Sequence, residues 1–264
     1  MIDRKVKSIR ALARGLDVLL EVQRSGGISL YELHLRLGLA KATLLRLLVT
    51  LSSRGLVWQR LADGAYLPTA LASPGRRADI AERLAEIASP FMVELRERVV
   101  WPSIIAVPRM DHVEIIETNS PLAPFDAAIL GPVGAKLSYL HTATGRAYLA
   151  ACDARERDAI IARIQPENPC LEDMELLETI VAETRTRGYS TREPHHPWPD
   201  RNRQTIVRDG KASMAVAVLS GGHAVAAINV TWPSSRVTVD DVVLRHFPTL
   251  QGIADRIGAA LETT

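Results

Sequence analysis

Apolar positions at the start of the chain recur at helical spacing. Ile9, Leu12, Leu16, Leu19 and Leu20 form one stripe of a helix that Gly26-Gly27 ends, because residues three and four apart share a face. The next segment opens with Ser29-Leu30-Tyr31-Glu32, the pattern of a capping box in which serine and glutamate satisfy free N–H groups reciprocally. Leu30, Leu33 and Leu37 give a short second helix its inner face, and Gly38 supplies the left-handed conformation that stops it. A third helix begins near Lys41 with Leu44, Leu47, Leu48 and Leu51 on one side. Ala42, Arg46, Val49 and Ser53 fall opposite them, with Lys41 and Thr43 on the flanks. Gly55 ends this helix, residues 56–61 read as a strand, Asp63-Gly64 as a hairpin turn and Tyr66-Leu67 as the return.

Ser73-Pro74-Gly75 breaks the pattern. Ile80, Leu84 and Ile87 then predict a linker helix over residues 76–88, and Ser89-Pro90 reads as the cap and first position of a fresh helix running to Arg98. β-rich runs at 103–107 and 113–117 flank Met110-Asp111-His112, and runs at 212–219 and 224–232 flank Ser220-Gly221-Gly222, so two antiparallel hairpins are expected. Helices are expected at 144–151, 155–164, 172–187 and 239–261. Strand runs separated from helix runs predict an α+β domain with an antiparallel sheet. The organisation expected is a winged helix-turn-helix over 1–75, a linker helix over 76–88 and a second domain over 89–264.

Composition supports folded domains: 264 residues, 47% apolar and 23% charged, suit two hydrophobic cores. The longest apolar stretch, 212–231, is interrupted by Ser220-Gly221-Gly222-His223 and falls short of a membrane span. The charged N-terminus lacks the apolar core of a signal peptide, so cytoplasm is the expected compartment. Cys152 and Cys170 have no metal-ligand or framework spacing. Charge is uneven: residues 1–75 hold 11 of the 32 Lys/Arg but only 5 of the 30 Asp/Glu.

That imbalance gives the three helices and hairpin a chemical meaning. Two short helices joined by a glycine turn, the second showing small and basic residues at its start, have the form of a helix-turn-helix with a wing. An arginine such as Arg46 can donate twice to guanine, Ala42 and Thr43 can meet a thymine methyl, and Lys41 and Arg54 suit phosphates. Ser29, opening the second helix, joins this DNA-facing set. The rival reading is a three-helix protein-binding module with solvated arginines, and the wing on the most basic segment weighs against it.

Other chemistry is not supported. Residues 131–138, Gly-Pro-Val-Gly-Ala-Lys-Leu-Ser, lack the gap and ending of a phosphate loop. His195-His196 has no further ligand at metal spacing. No nucleophile elbow, zincin or dinucleotide motif occurs, so no catalytic residue, metal or cofactor is expected. An enzyme carrying a winged helix is the alternative from another class.

Several segments resemble the IclR family of bacterial regulators. Residues 14–19, 29–33, 38–43 and 46–48 look like its helix-turn-helix; 140–147, Gly188-Tyr189 and 226–231 look like its effector domain. The resemblance implies a GAF-like or profilin-like sensor fold, double-stranded operator DNA as a partner, dimers built through the N-terminal region, frequent tetramers, and RNA polymerase as a partner of any activator. It also places effector contacts on Ala143, Thr144, Ser213, Asn229 and Thr231, with Ile129 and Leu137 as apolar walls. Arg192 stands where some members carry a loop aspartate, and Ser213 where many carry cysteine, so the keto acids of those members are not carried over. Residues 99–103 and 212–216 look most like the branch regulating aromatic-acid catabolism, typified by hydroxyphenylpropionate operon activators, in which Trp101 would stack on a ring. A small carboxylate effector, aromatic in that branch, is therefore expected, with a non-aromatic carboxylate pathway as the rival.

Overall fold

The capping box forms as its spacing requires. In the computed structural model, which describes residues 9–72, 80–122, 131–164, 171–192 and 210–263, Ser29 caps helix α2 (Leu30–Leu37) by accepting from Glu32 N–H, while Glu32 accepts from Ser29 N–H at 2.9 Å. Gly38 at φ 64° ends α2 and its N–H donates to His34. Helix α3 (Lys41–Ser53) follows after two residues and buries Leu44, Leu48 and Leu51. Strands β1 (Val57–Gln59) and β2 (Tyr66–Pro68) pair antiparallel, and Ile28 adds a bridge to Tyr66. Six residues connect the strands, not the tight two-residue turn that Asp63-Gly64 suggested. Asp63 accepts from the Arg60 side chain and from Ala65 N–H, which holds a wider loop.

Helix α1 (Arg10–Ser25) forms where expected, but its predicted stripe faces outward. Val18 and Val22 are fully buried, whereas Ile9, Leu12, Leu16 and Leu20 are 69%, 59%, 50% and 46% exposed. Apolar spacing gives the direction of a stripe relative to the helix, not which neighbour covers it. Here α2, α3 and β2 pack on the valine side, with Leu19 half-buried at the margin.

The chain divides into compact units Met1–Glu86 and Ile87–Thr264, and the division falls within helix α4 (Ile80–Arg98). The sequence reading placed a helix start at Ser89-Pro90; the structure instead carries one helix through it, described from Ile80 onward. Proline costs a helix one N–H donor and does not forbid its continuation. Ser89 is not a cap: its hydroxyl donates to the buried Glu117 carboxylate at 2.9 Å. Arg192, read as a loop residue, lies in a short strand, Ser190–Arg192.

The second unit is built on a six-stranded antiparallel sheet in the order β5-β4-β3-β8-β7-β6. Its strands are β3 (Ile104–Pro108), β4 (Val113–Thr118), β5 (Lys136–Leu137), β6 (Ser190–Arg192), β7 (Lys211–Ser220) and β8 (His223–Pro233). The two hairpins were legible from their β-rich runs and turn residues; the two- and three-residue edge strands were not. On one face lie helices α5 (Ala143–Ala151), α6 (Ala154–Ile164) and α7 (Leu171–Arg187), joined through Ala215, Ala227, Leu149, Ile160, Leu177 and Val181. On the other lies α8 (Val239–Glu262), flanked by the end of α4 through a 2.7 Å Arg256–Glu94 pair. The fold is α+β.

Contact between α8 and the sheet is close enough to require glycine at one point. A Cβ on Gly258 would stand 1.8 Å from the Leu219 carbonyl oxygen, and neither the helix nor the strand backbone can yield cheaply. Gly258→Ala is expected to cost about 1–3 kcal/mol of stability through overpacking, read as a lowered midpoint in urea denaturation. An unchanged midpoint would show that α8 and β7 do not approach so closely.

Candidate functional site

Two surfaces gather the residues singled out by sequence. The first is the outer side of α3. Lys41, Ala42, Arg46 and Arg54 are exposed and Thr43 is half-buried at the first turn. Ala40 offers no side-chain cap to α3, so the helix presents its N-terminal dipole openly. Lys41 is held near this end, its Nζ 5.2 Å from the Tyr31 ring centroid. Tyr31, 57% exposed, was not singled out by the sequence reading, since its part here depends on α2 and α3 lying side by side. Val49 is also outward-facing at 67% exposure. Ser29 is committed to its capping box, with its hydroxyl 2.8 Å from Glu32 Oε2, so it orders α2 rather than offering a free group. In the wing, Arg60 binds Asp63, and that pairing holds the Asp63 carboxyl below its ordinary range.

The second surface is the sheet face beneath α5. Three consecutive features aim the start of this helix at the sheet. Thr142 caps it by accepting from Gly145 N–H at 3.0 Å and donates to Ser138 O at 2.7 Å. Gly145 admits the Ser138–Tyr139 backbone, which a Cβ would meet at 2.4 Å. The N–H groups of Ala143 and Thr144 are in the first turn, where no intrahelical acceptor exists, and no acceptor for them occurs among the described residues.

Opposite that turn, cross-strand register places polar side chains in a buried patch. Ala215 pairs with Asn229, Ser213 with Thr231, and Arg192 with Ser213, so Arg192, Ser213 and Thr231 form a row on one sheet face, with Asn229 beside it. Asn229 donates through Nδ2 to Thr144 Oγ1 at 3.2 Å and to Thr231 Oγ1 at 3.4 Å, while its Oδ1 accepts from Ile104 N–H at 3.0 Å. A backbone N–H can only donate, so the amide orientation is fixed. Both threonine hydroxyls accept from the amide and keep their own protons to donate. Ser213 is 4% exposed, and no partner for its hydroxyl occurs among the described residues.

Arg146, missed by the sequence reading, lies in the first turn of α5 and is 5% exposed. Its Nε donates to Leu140 O at 2.6 Å and its terminal nitrogen to Thr191 O at 3.0 Å. Burial first, and the charge of Arg192 second, lower its pKa to about 10. The patch is thus rich in donors, with three hydroxyls and two helix N–H groups, and beside it Arg146 and Arg192 bond to the carbonyls of Leu140, Thr191 and Lys211. Such an arrangement suits an acidic ligand.

Ala143 is buried at the start of α5 and Leu137 lies half-buried against the same core. Trp101 is buried next to Pro102, whose carbonyl accepts from Thr231 N–H at 3.0 Å. Ile129 and His195-His196 fall outside the described residues. Among the described residues no cluster of His, Cys, Asp or Glu forms a metal site, and no helix is long and apolar enough to cross a membrane. An open groove of about 480 Å³ lies elsewhere, between Met110 at the hairpin tip and α6. Three of its charged residues are engaged within the fold: Arg109 pairs with Glu114 at 3.0 Å, Glu156 accepts from Tyr148 at 2.6 Å, and Asp153 accepts from Glu156 N–H at 2.8 Å.

Comparison with known proteins agrees with this division. Residues 80–259 match the family model described as bacterial transcriptional regulator IclR C-terminal, and residues 11–61 match the IclR helix-turn-helix domain. The chain is 27% identical to the HTH-type transcriptional regulator BhcR of Paracoccus denitrificans, over 87% of this chain and 80% of that one. It is 27% identical to the HTH-type transcriptional repressor AllR of Klebsiella pneumoniae, over 90% of this chain and 85% of the relative. A solved IclR homolog from Microbacterium hydrocarbonoxydans, complexed with 4-hydroxybenzoate, shares the fold at a TM-score of 0.55 and 22% identity, covering 96% of this chain and all of that one.

Proposed function

The chain belongs to the IclR family of bacterial transcriptional regulators, and from that premise we propose that it controls an operon in response to a small organic carboxylate bound beneath α5. Membership makes it a DNA-binding regulator with an effector-binding C-terminal domain. The observation that carries the acidic effector is the fixed amide of Asn229, which turns the hydroxyls of Thr144 and Thr231 into donors toward the space at the start of α5. The site residues proposed for the ligand are Ala143, Thr144, Ser213, Asn229, Thr231 and Arg192, with Leu137 as a wall. An aromatic acid is supported by the 4-hydroxybenzoate held by the Microbacterium relative, with Trp101 as the ring partner. The hydroxyls of Thr144 and Thr231 bond to an amide and not to a base that would activate them, which favours sensing over catalysis. Cytoplasm, where operator DNA resides, is the proposed place of action.

On DNA, α3 enters the major groove with Arg46 on a base edge, Ala42, Thr43 and Val49 against neighbouring bases, and Lys41 and Arg54 on phosphates. The exposed stripe of α1 is the proposed dimer contact. Burying Ile9, Leu12, Leu16 and Leu20 against the same residues of a second copy removes from water what the monomer exposes. Effector binding acts on α4 through a short path within the second unit. Ile104 N–H meets Asn229, Ser103 N–H donates to Asn119 at 2.7 Å, and Asn119 Nδ2 donates to the Met92 carbonyl of α4 at 3.1 Å.

Two measurements test this reading. Leu16→Glu is expected to yield a monomer by light scattering, and a dimer of unchanged size would remove α1 from the interface. In gel-shift titrations on the protein's own upstream region, an acid that raises the melting temperature is expected to change operator affinity. Arg46→Ala is expected to cost about 1–3 kcal/mol of that affinity by losing a base contact. Operator affinity indifferent to every stabilising acid would contradict the coupling, and wild-type affinity in the variant would take Arg46 off the DNA.

A further inference from the structure

Packing within the first unit does not explain Val49. It is 67% exposed in the body of α3, where a β-branched residue has a lower helix propensity than alanine. At 100° per residue, Ala42, Arg46 and Val49 share an arc of about 60° on the outer side of the helix, and all three are exposed. Leu45, 43% exposed, borders that arc. The hydroxyls nearest to it are turned onto the helix itself. Thr50 donates to the Arg46 carbonyl at 2.8 Å, and Ser53 donates to the Thr50 carbonyl at 2.8 Å. Arg46 remains as the long donor of the arc, with an apolar side chain on either side. Lys41 is set apart at the helix start, against the Tyr31 ring.

The edges of the major groove answer such a face unequally. Guanine presents two acceptors that a guanidinium meets, adenine and cytosine present amino groups, and thymine presents a methyl. An apolar side chain laid on an amino or carbonyl edge displaces water and returns no hydrogen bond, whereas on a thymine methyl it buries apolar surface on both sides. Along the helix axis Ala42 lies about 6 Å before Arg46 and Val49 about 4.5 Å beyond it, which is about one to two base steps. We propose that Val49 reads a thymine methyl beside the guanine read by Arg46, with Ala42 making the weaker apolar contact on the other side. The operator half-site then carries a thymine, on either strand, within about two base pairs of that guanine. This rests on the reading of α3 as the helix that enters the major groove of the DNA, within the segment that matches the IclR helix-turn-helix domain. Val49 is then the residue that sets specificity between T·A and C·G pairs at its position.

The test begins with half-sites selected from random duplex DNA by the full chain. Each thymine is then replaced by deoxyuridine, which removes the methyl and keeps the base pair. At the thymine facing Val49 this change is expected to weaken wild-type binding about two- to fivefold, the size of one methyl group withdrawn from contact. In Val49→Ala the penalty is expected to fall close to one while the melting temperature of the free protein is kept or raised, and Val49→Ile is expected to retain the penalty. Half-sites without a thymine within that distance of the guanine that Arg46→Ala ceases to distinguish would overturn the methyl contact and leave α3 in the groove. A deoxyuridine penalty as large in Val49→Ala as in the wild type would do the same. Wild-type affinity in Arg46→Ala, or no sequence enriched by the full chain, would overturn both.

Discussion

The side chain of Asn229 lies beneath the first turn of α5 with its oxygen held by the N–H of Ile104 and its nitrogen left to face two threonines. Because a backbone N–H cannot accept, the amide has one orientation, and because the amide nitrogen cannot accept either, both hydroxyls must turn their protons elsewhere. The direction in which the Thr144 and Thr231 hydroxyls donate follows from that single bond. Reversing the amide would set two donors against each other at Ile104 and leave a buried group unsatisfied, which costs about 1–3 kcal/mol.

The same strand that fixes the amide also connects the face to α4. Thr231 N–H donates to Pro102, Ser103 N–H to Asn119, and Asn119 to a carbonyl of α4 two residues past Pro90. Proline leaves the carbonyl one turn before it without its helical donor, so this stretch of α4 leans on its neighbours more than an uninterrupted helix would. Ser89, bonded to Glu117, and Met92, bonded to Asn119, are where that support arrives. In the proposed reading, a ligand beneath α5 would act on α4 through these bonds.

Features set by neighbours in sequence were legible before the fold was known. The Ser29 capping box, the glycine stop at Gly38, the leucine face of α3 and the two long hairpins each depend on spacing within a few residues. What stayed hidden depends on distant partners. The α1 stripe had the right period, but only the packing of α2, α3 and β2 reveals that its valines are inside. Arg146 reads as an ordinary helix residue until Leu140 and Thr191 supply its carbonyls. Arg192 reads as a loop because β6 has three residues, too few to show alternation. Ser89-Pro90 carries the signals of a helix start, yet tertiary bonds to Ser89 override them. For the proposed effector patch, the positions on α5, β7 and β8 came from family resemblance, and the structure adds the direction in which the Thr144 and Thr231 hydroxyls donate.

The central claim is that this patch is built to receive negative charge. It is tested most directly by calorimetry on the full protein with a stabilising acid and its primary amide, identical in shape and differing in charge. The account predicts that the acid binds at least tenfold tighter, since charge-assisted bonds are worth about 1.5–3 kcal/mol against about 1 for neutral ones, and that the advantage shrinks as pH falls through the ligand's own pKa. Equal affinity for acid and amide, independent of pH, would contradict it.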